Sequence, residues 1–207
     1  RIFGNAYVEF RPKLGLGENY NLVFREQAGL DTYTTNNRTV AEIGSAYNKT
    51  GEVDNRGVQR NVFNNLLTAN FTAKWNDFDF GFVLGNEFNH ENARKWDYDG
   101  VGLSFYGQPT IGNTKTITTH DEYREQERTV GTFGQLTLSW KNMLYFTATG
   151  RNDVVSTMPS KNRSFFYPSV SFSWIFTELP QLKNNKTLSY GKLRLSYAQV
   201  GQAGKFY

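Results

Sequence analysis

Residues 59–87 read QRNVFNNLLTANFTAKWNDFDFGFVLGNE, and this stretch decides the fold. Apolar and polar side chains alternate up to Trp75, break at Asn76-Asp77, and alternate again from Phe78. A period of two residues indicates a β-strand with two unlike faces, and a short polar break between two such strands indicates an antiparallel hairpin. Both strands exceed the roughly five or six residues usual in globular sheets. The apolar rows are Phe63, Leu67, Ala69, Phe71, Ala73 and Trp75, then Phe78, Phe80, Phe82 and Leu84.

The same pattern recurs along the rest of the chain. A tight turn at Lys141-Asn142 joins two more alternating segments, and a further hairpin turns at Pro12-Lys13-Leu14-Gly15. We therefore predict an all-β fold, an antiparallel up-and-down meander of about eight strands in which sequence neighbours pair. One face should carry the apolar row Phe63, Phe71, Phe80, Phe82, Leu138, Phe146, Phe172 and Leu195. The other face should carry Thr72, Gly81, Thr137, Thr147, Ser171 and Arg194.

The connections alternate between short and long. Three long polar segments are predicted as loops: Asp31–Arg56, Asp97–Thr119 and Asn152–Arg163. Short turns at one rim and long loops at the other are typical of bacterial outer-membrane barrels, as are aromatic residues at the strand ends. A soluble β-sandwich also alternates and turns often. Strand length, loop asymmetry and an aromatic content of 16% favour the transmembrane barrel.

Composition excludes several classes of protein. The hydrophobic fraction is 38%, the mean hydropathy is −0.59, and no apolar run approaches the ~18–20 residues of a membrane helix. The absence of cysteine excludes disulfides, thiolate metal sites and a cysteine nucleophile. A net charge of +4 is spread along the chain, so no basic stripe predicts nucleic-acid binding. Arg1–Gly4 do not resemble a signal peptide, so we expect a processed chain or a fragment.

No motif predicts catalysis or a cofactor. His90 and His120 are far apart, and Asp97-Tyr98-Asp99-Gly100 is only the start of a calcium-loop pattern. Gly102–Gly107 departs from a nucleophile elbow because Tyr106 occupies the second glycine position. We therefore expect no enzyme active site, no resident metal and no cofactor.

Charged residues on the polar faces are expected to face a wet lumen. The most prominent are Arg151, Asp153 and Arg194. They either contact cargo or a plug domain, or satisfy one another in a polar interior. The same faces carry Glu9, Arg11, Arg25, Arg60 and Glu87.

Four segments together resemble the SusC/RagA family of TonB-dependent outer-membrane transporters. They are Gly4–Phe10 (GNAYVEF), Arg151-Asn152-Asp153, Phe166–Trp174 (FYPSVSFSW) and Lys192–Gln202 (KLRLSYAQVGQ). The family commonly shows G-N-A-Y-L-E-Y, R-x-D, Y-F-P-S-V-S-x-x-W and K-L-R-x-S-Y-G-x-x-G-N. Departures include Phe166-Tyr167 for Tyr-Phe, Ala198 for Gly and Gln202 for Asn.

The resemblance implies a 22-stranded barrel in the bacterial outer membrane, filled by an N-terminal plug. It also implies TonB-energised import of a glycan or peptide, together with a SusD-like lipoprotein. Residues 1–207 would then be a partial barrel domain in contact with outer-membrane lipid. The plug, the TonB-binding segment and the remaining strands are absent from it, so this chain would not transport alone.

Two other hypotheses stay open from the residues. Eight strands also suffice for a small self-contained barrel with a structural or adhesive role. An outer-membrane lipase or protease would need a nucleophile and a base, which the sequence does not supply.

The segment Trp96–Tyr106 is the best candidate for cargo contact. Its aromatic side chains could stack on a sugar ring or a peptide side chain while its aspartates accept hydrogen bonds. Alternatively, the aromatics pack together and hold a loop in shape. The candidate residues are Trp96, Asp97, Tyr98, Asp99, Phe105 and Tyr106.

Overall fold

A computed structural model describes residues 1–13, 15, 17–182 and 187–201. The described residues form an eight-stranded antiparallel sheet in which every strand pairs with its neighbours in the sequence, in the order β1 to β8. The predicted all-β meander is therefore confirmed. The strands are β1 Ile2–Phe10, β2 Tyr20–Ala41, β3 Glu52–Trp75, β4 Phe78–Leu103, β5 Thr114–Trp140, β6 Leu144–Val155, β7 Ser164–Ile175 and β8 Lys192–Ala198.

Helical structure in the described part of the chain is limited to two 3-10 turns, Ile111–Asn113 and Phe176–Glu178. None of the described helical segments is long and apolar enough to cross a membrane. Leu14 of the first predicted turn and Gln202 of the last motif lie outside the described residues.

The tight turns follow from local backbone chemistry. Asn76 has φ of 51°, and Lys141 and Asn142 have φ of 52° and 54°. Two successive residues in the left-handed region match the twist of an antiparallel pair, as in a type I′ hairpin turn. The Met143 N–H donates to the Trp140 carbonyl at 2.9 Å and closes the second turn. Both predicted turns are therefore confirmed.

The predicted long loops were wrong in extent. Strand β2 runs on to Ala41 and β3 begins at Glu52, so the first loop is residues 42–51 instead of Asp31–Arg56. The second loop shrinks from Asp97–Thr119 to residues 104–113. The third shrinks from Asn152–Arg163 to residues 156–163.

The loops were predicted too long because the strands continue through polar segments, which we call the polar extensions. They are residues 31–41, 52–56, 97–103, 114–119 and 152–155. Where both faces of a strand carry polar side chains, the apolar alternation that marks a strand in the sequence disappears, although the backbone still pairs. Cross-strand ion pairs take the place of apolar contacts in these extensions. In the segments that were predicted as loops, Asp31 pairs with Arg1 at 2.7 Å and Arg56 pairs with Asp97 at 3.0 Å. In the neighbouring polar parts of the strands, Arg60 pairs with Glu91 at 2.5 Å, Arg94 with Glu122 at 2.7 Å and Lys95 with Glu125 at 2.6 Å.

Contacts between Cα atoms divide the chain into two compact units. The first unit comprises Arg1–Gly4, Gly29–Phe63 and His90–Glu127, and it contains the polar extensions of β2 to β5. The second unit comprises Asn5–Ala28, Asn64–Asn89 and Arg128–Tyr207, and it contains the tight turns at Asn76 and Lys141.

Strand register in the second unit confirms the predicted separation of faces. Leu138 lies opposite Phe146, Phe146 opposite Phe172, and Phe172 opposite Leu195. One position along, Thr137 lies opposite Thr147 and Thr147 opposite Ser171. Because facing residues of an antiparallel pair project to the same side, these rows lie on opposite faces of the sheet.

The apolar row continues on the other strands of the second unit. The Phe71 ring packs against Tyr20 at 6.3 Å and against Phe80 at 6.0 Å, and the Phe10 ring stacks on Phe24 at 6.4 Å. Several of these large side chains are partly exposed; Phe82 and Phe172, for example, are 39% and 38% exposed. The second unit thus presents an aromatic face that its own described residues leave exposed.

A disulfide scan tests the register directly, because the chain has no cysteine. Thr147→Cys with Ser171→Cys places two thiols at directly opposed positions, within the Cα separation of a disulfide. We expect rapid oxidation of this pair, measured by mass spectrometry of peptides from the oxidised protein. Thr147→Cys with Ser173→Cys is the matched control, since diagonal positions lie too far apart. Preferential cross-linking of the diagonal pair would show that β6 and β7 pair in another register.

Candidate ligand-binding cleft

Strand alternation separates the sequence-predicted residues of Trp96–Tyr106. Trp96, Asp97, Tyr98 and Asp99 lie within β4 and not in a loop, so their predicted placement was wrong. Successive side chains of a strand point to opposite faces. Trp96 and Tyr98 therefore share one face of the first unit, and Asp97 and Asp99 share the other. A ligand that stacks on Tyr98 does not meet these two carboxylates on the same face.

The aspartates belong to an ionic cluster centred on Arg56. The Arg56 guanidinium lies 3.0 Å from Asp97, 3.1 Å from Asp54 and 3.6 Å from Asp99. Burial raises the pKa of the Asp99 carboxyl, and the nearby Asp54 charge raises this pKa further while Arg56 lowers it. Three carboxylates thus surround the Arg56 guanidinium, and Glu52 adds a further negative charge near Asp99.

Trp96 is a packing residue in this structure. A Cβ atom built at Gly57 would lie 2.1 Å from Cζ2 of Trp96, so the indole ring lies directly on the glycine backbone. No larger side chain fits at residue 57 unless the ring moves. Glycine in β3 therefore makes room for the tryptophan of β4.

Tyr98 instead lines a cleft of about 600 Å³ within the first unit. Its floor includes Val53, which is 1% exposed. Clefts of roughly 300–1,000 Å³ are usual for small-molecule sites. Strands β2, β3, β4 and β5 contribute side chains to it, and the short turn before β5 adds two more. The lining residues are Asn36, Arg38, Val53, Asn55, Tyr98, Thr110, Ile111, Ile117 and His120.

The cleft combines an apolar strip with hydrogen-bonding groups. Val53, Ile111 and Ile117 supply the apolar strip. Asn36 and Asn55 supply amides, His120 an imidazole and Arg38 a guanidinium, which donates one hydrogen bond to the Pro109 carbonyl. Of the described lining residues, none is a carboxylate. The cleft is therefore suited to a hydroxyl-bearing or anionic ligand.

Of the residues that line the cleft, only Tyr98 was predicted from the sequence as a candidate for cargo contact. His120 was considered only as a metal ligand; it lies in β5 and is exposed at the cleft. Asn36, Arg38 and Asn55 carry no motif and were not identified. They come together only because β2, β3 and β4 pair side by side.

Phe105 and Tyr106 lie on the loop that precedes β5, and their side chains are exposed to solvent. The Asn113 side chain organises this loop, donating to the carbonyls of Phe105 at 2.8 Å and Gln108 at 2.7 Å and accepting from the Phe105 N–H at 3.2 Å. Phe105 is 69% exposed and Tyr106 is 75% exposed. These two rings are thus available for contact with another molecule.

The charged residues of the second unit form their own network. Arg151 lies 2.7 Å from Glu87 and 2.8 Å from Asp153, and its guanidinium is 5.8 Å from the centre of the Phe133 ring. Arg194 lies opposite Ser173 on the polar face. Arg151 and Asp153 share one face of β6 with Thr147, and Glu87, Arg151 and Asp153 pair with one another. That this face borders a lumen stays a prediction.

Sequence comparison connects the chain with one protein family. The family described as TonB dependent receptor-like, beta-barrel, matches residues 3–207. The chain is 32% identical over 124 residues to the TonB-dependent receptor SusC of Bacteroides thetaiotaomicron, covering 60% of this chain and 12% of SusC. It is 35% identical over 69 residues to the TonB-dependent receptor P26 of Formosa agariphila, covering 33% of this chain and 7% of P26.

Solved structures share the fold. The RagAB peptide importer in its "closed-closed" state superposes with a TM-score of 0.82 at 19% identity, over 95% of this chain and 22% of that chain. Another structure, of the RagAB peptide transporter, gives 0.71 at 17% identity, over 95% and 22%. The chain thus spans a small part of the length of each of these relatives.

Replacing Asn113 tests how the exposed aromatic loop is held. Asn113→Ala removes three hydrogen bonds, each contributing about 0.5–1.5 kcal/mol, and should loosen the loop without disturbing the strands. We expect chymotrypsin to cleave after Phe105 or Tyr106 several times faster in this variant. Asn92→Ala, at an exposed position of β4, is the matched control. Equal cleavage rates in the two variants would show that Asn113 does not order the loop.

Proposed function

Because the chain belongs to the TonB-dependent receptor-like β-barrel family, we propose that it supplies barrel wall and exposed loops to an outer-membrane protein that imports a nutrient. The observation that carries the proposal is the uncovered apolar face of the second unit, whose rows run unbroken from β5 to β8. In the outer membrane, lipid would cover this face. The polar rows behind it would face the barrel interior.

The dimensions of the apolar face fit a bilayer. Leu67 to Trp75 is nine residues of β3, within the ~9–11 residues that a tilted barrel strand needs to cross the hydrocarbon. On the side of this apolar stretch that is away from the Asn76 turn, two pairs of polar side chains are hydrogen-bonded: Glu26 with Asn65, and Asn86 with Thr132. Aromatic side chains are found near the turns, where Phe78 packs against Trp140 at 6.4 Å. The Lys141 ammonium lies over that Trp140 ring, as expected at a headgroup boundary.

The strands are too long to lie wholly within lipid. About 9–11 residues cross the hydrocarbon, whereas β4 has 26 residues and β5 has 27. The first unit carries polar side chains on both strand faces, so we place it in water on the extracellular side. Its cleft and its Phe105–Tyr106 loop are then the parts of this chain available for capture of cargo.

Residues outside this chain would complete the transporter. Coverage of 12% of SusC and 22% of the RagA-type chain supports a partial barrel domain, whose plug and remaining strands lie elsewhere in the protein. By similarity to SusC and RagAB, we infer a SusD-like lipoprotein at the extracellular side and TonB as the energy source. The cargo would be a glycan or a peptide.

Paired arginine substitutions test the membrane-facing assignment. Phe172→Arg places a charge on the apolar face and should cost roughly 2–4 kcal/mol near the midplane. Ser171→Arg, the adjacent residue on the polar face, should cost about 0.5 kcal/mol or less. Reversible unfolding of the full-length protein in lipid vesicles measures both. An equal cost for the two variants would contradict the assignment.

Single and double substitutions test capture of cargo. Tyr98→Ala removes a ring from the cleft and should reduce nutrient uptake by the full-length transporter several-fold at unchanged surface level. Trp96→Ala should instead act on folding, because that ring packs on Gly57. Uptake assays and surface labelling separate the two effects. The double variant carries both Trp96→Ala and Tyr98→Ala. If it assembles normally and growth on the cognate nutrient is unchanged, the segment Trp96–Tyr106 has no role in capture.

A further inference from the structure

We propose that one face of β2 to β5 in the first unit binds the acidic headgroup of an outer-leaflet glycolipid, with Arg94 and Arg124 as the anion-binding pair. We call this surface the arginine face, and it is defined by Arg38, Arg94 and Arg124. The inference rests on the proposed function, because it needs the apolar face of the sheet to lie in the membrane. The anion is a phosphate or a carboxylate on a headgroup sugar, which a guanidinium binds through paired N–H donors.

Alternation along β4 places Arg94 on the lipid-facing side of the strand. The apolar row of β4 occupies the even positions from Phe78 to Leu84, and Arg94 continues this even series within the same strand. Side chains two residues apart in a strand point to the same side. In the proposed barrel, Arg94 therefore lies on the outer wall and faces away from the interior.

Ion pairs place Arg124 of β5 on the same face. The Arg94 guanidinium lies 2.7 Å from Glu122, and the Arg124 guanidinium lies 3.1 Å from the same carboxylate. Glu122 and Arg124 are two residues apart in β5, so alternation gives them one side of the strand. Glu122 thus joins the two cations across the strand pair.

Charge is divided unequally between the two faces of these strands. Residues 29–41, 52–63, 90–103 and 114–127 carry ten carboxylates, and alternation assigns nine of them to the face opposite the arginines. The measured pairs of Arg56 with Asp97 and of Lys95 with Glu125 belong to that opposite face. The nine are Asp31, Glu52, Asp54, Glu91, Asp97, Asp99, Asp121, Glu125 and Glu127.

The arginine face therefore keeps an excess of positive charge. Glu122 is its one carboxylate among these strand residues, against three arginines. The side chains of Arg94 and Arg124 are exposed although both contact Glu122. A guanidinium has five N–H donors, so each keeps donors for a second anion while Glu122 holds the two groups close together.

The position of Arg94 along β4 selects a glycolipid over a phospholipid. Arg94 lies ten residues beyond Leu84, which at ~3.3 Å per residue and a strand tilt of roughly 40° is about 25 Å beyond the end of the apolar row. The headgroup region of a bilayer adds only about 5–8 Å on each side of the hydrocarbon. Phospholipid phosphates therefore end short of Arg94, whereas the charged sugars of an extended glycolipid headgroup reach it.

Native mass spectrometry of the full-length transporter in detergent tests the proposal with defined lipids. The probes are lipopolysaccharide with a phosphorylated inner core, the same lipid without its core phosphates, lipid A without core sugars, and phosphatidylglycerol. We expect the core-bearing lipid to bind about tenfold more tightly than lipid A or phosphatidylglycerol, the effect of one hydrogen bond to a charged group. Loss of this preference with the core phosphates identifies phosphate as the anion, and its retention identifies the core carboxylates.

Paired substitutions then locate the site. The double variant Arg94→Gln with Arg124→Gln should lose the preference for the core-bearing lipid and keep the affinity for lipid A. Arg60→Gln with Lys95→Gln is the matched control, because it removes the same charge from residues that pair with Glu91 and Glu125 on the opposite face. Circular dichroism confirms that both double variants keep their β-structure.

Several results would overturn the proposal. They are equal affinity for the core-bearing lipid and phosphatidylglycerol, an equal loss of preference in the two double variants, or an unchanged preference in Arg94→Gln with Arg124→Gln. Polyglutamate that displaces the lipid at equal concentration would indicate an acidic protein partner instead. Nutrient uptake is measured separately: uptake by a transporter that shows no preference for the core-bearing lipid would leave the import function standing and reject this inference alone.

Discussion

Antiparallel pairing of neighbouring strands is the constraint on which the rest of the structure depends. Each backbone ladder fixes the register, and the two-residue period then assigns every side chain to one of two faces. In the second unit this places Leu138, Phe146, Phe172 and Leu195 in one row and Thr137, Thr147 and Ser171 in another. A slip of one residue would exchange the two rows. The same rule, acting in the first unit, puts Tyr98 in a cleft and Asp97 beside Arg56.

Ionic networks stabilise the polar faces where apolar packing is absent. Arg56 and Arg151 each lie between carboxylates supplied by other positions of the sheet. Individual exposed pairs contribute little, about 0–1 kcal/mol, so their role is mainly to match charges across strands that would otherwise repel. Residues engaged in this way have few donors or acceptors left for cargo. This explains why Asp97 and Asp153 are less suited to binding than Arg38, which meets no carboxylate in its cleft.

The two units present different surfaces. The second unit has an exposed aromatic face, and the first unit has polar strand segments, a cleft and an exposed loop. In the loop of residues 104–113, the Asn113 side chain donates hydrogen bonds to the backbone and the Phe105 and Tyr106 side chains remain exposed. Both rings are therefore accessible to another molecule. Trp96 shows the opposite arrangement, since its ring is used to fill the space above Gly57. Aromatic residues close together in the sequence thus serve different purposes.

The sequence by itself determined the meander, the tight turns at Asn76 and Lys141, and the apolar face, because all three depend on local alternation and turn chemistry. It did not determine where the strands end. Residues such as Asp31, Arg38 and Asp54 extend the strands with polar side chains on both faces, and these have no periodic signal. Only the tertiary structure brought Asn36, Arg38, Asn55 and His120 to Tyr98. Together with Tyr98 they come from four strands, and their meeting depends on the relative register of the strands, which no single segment encodes.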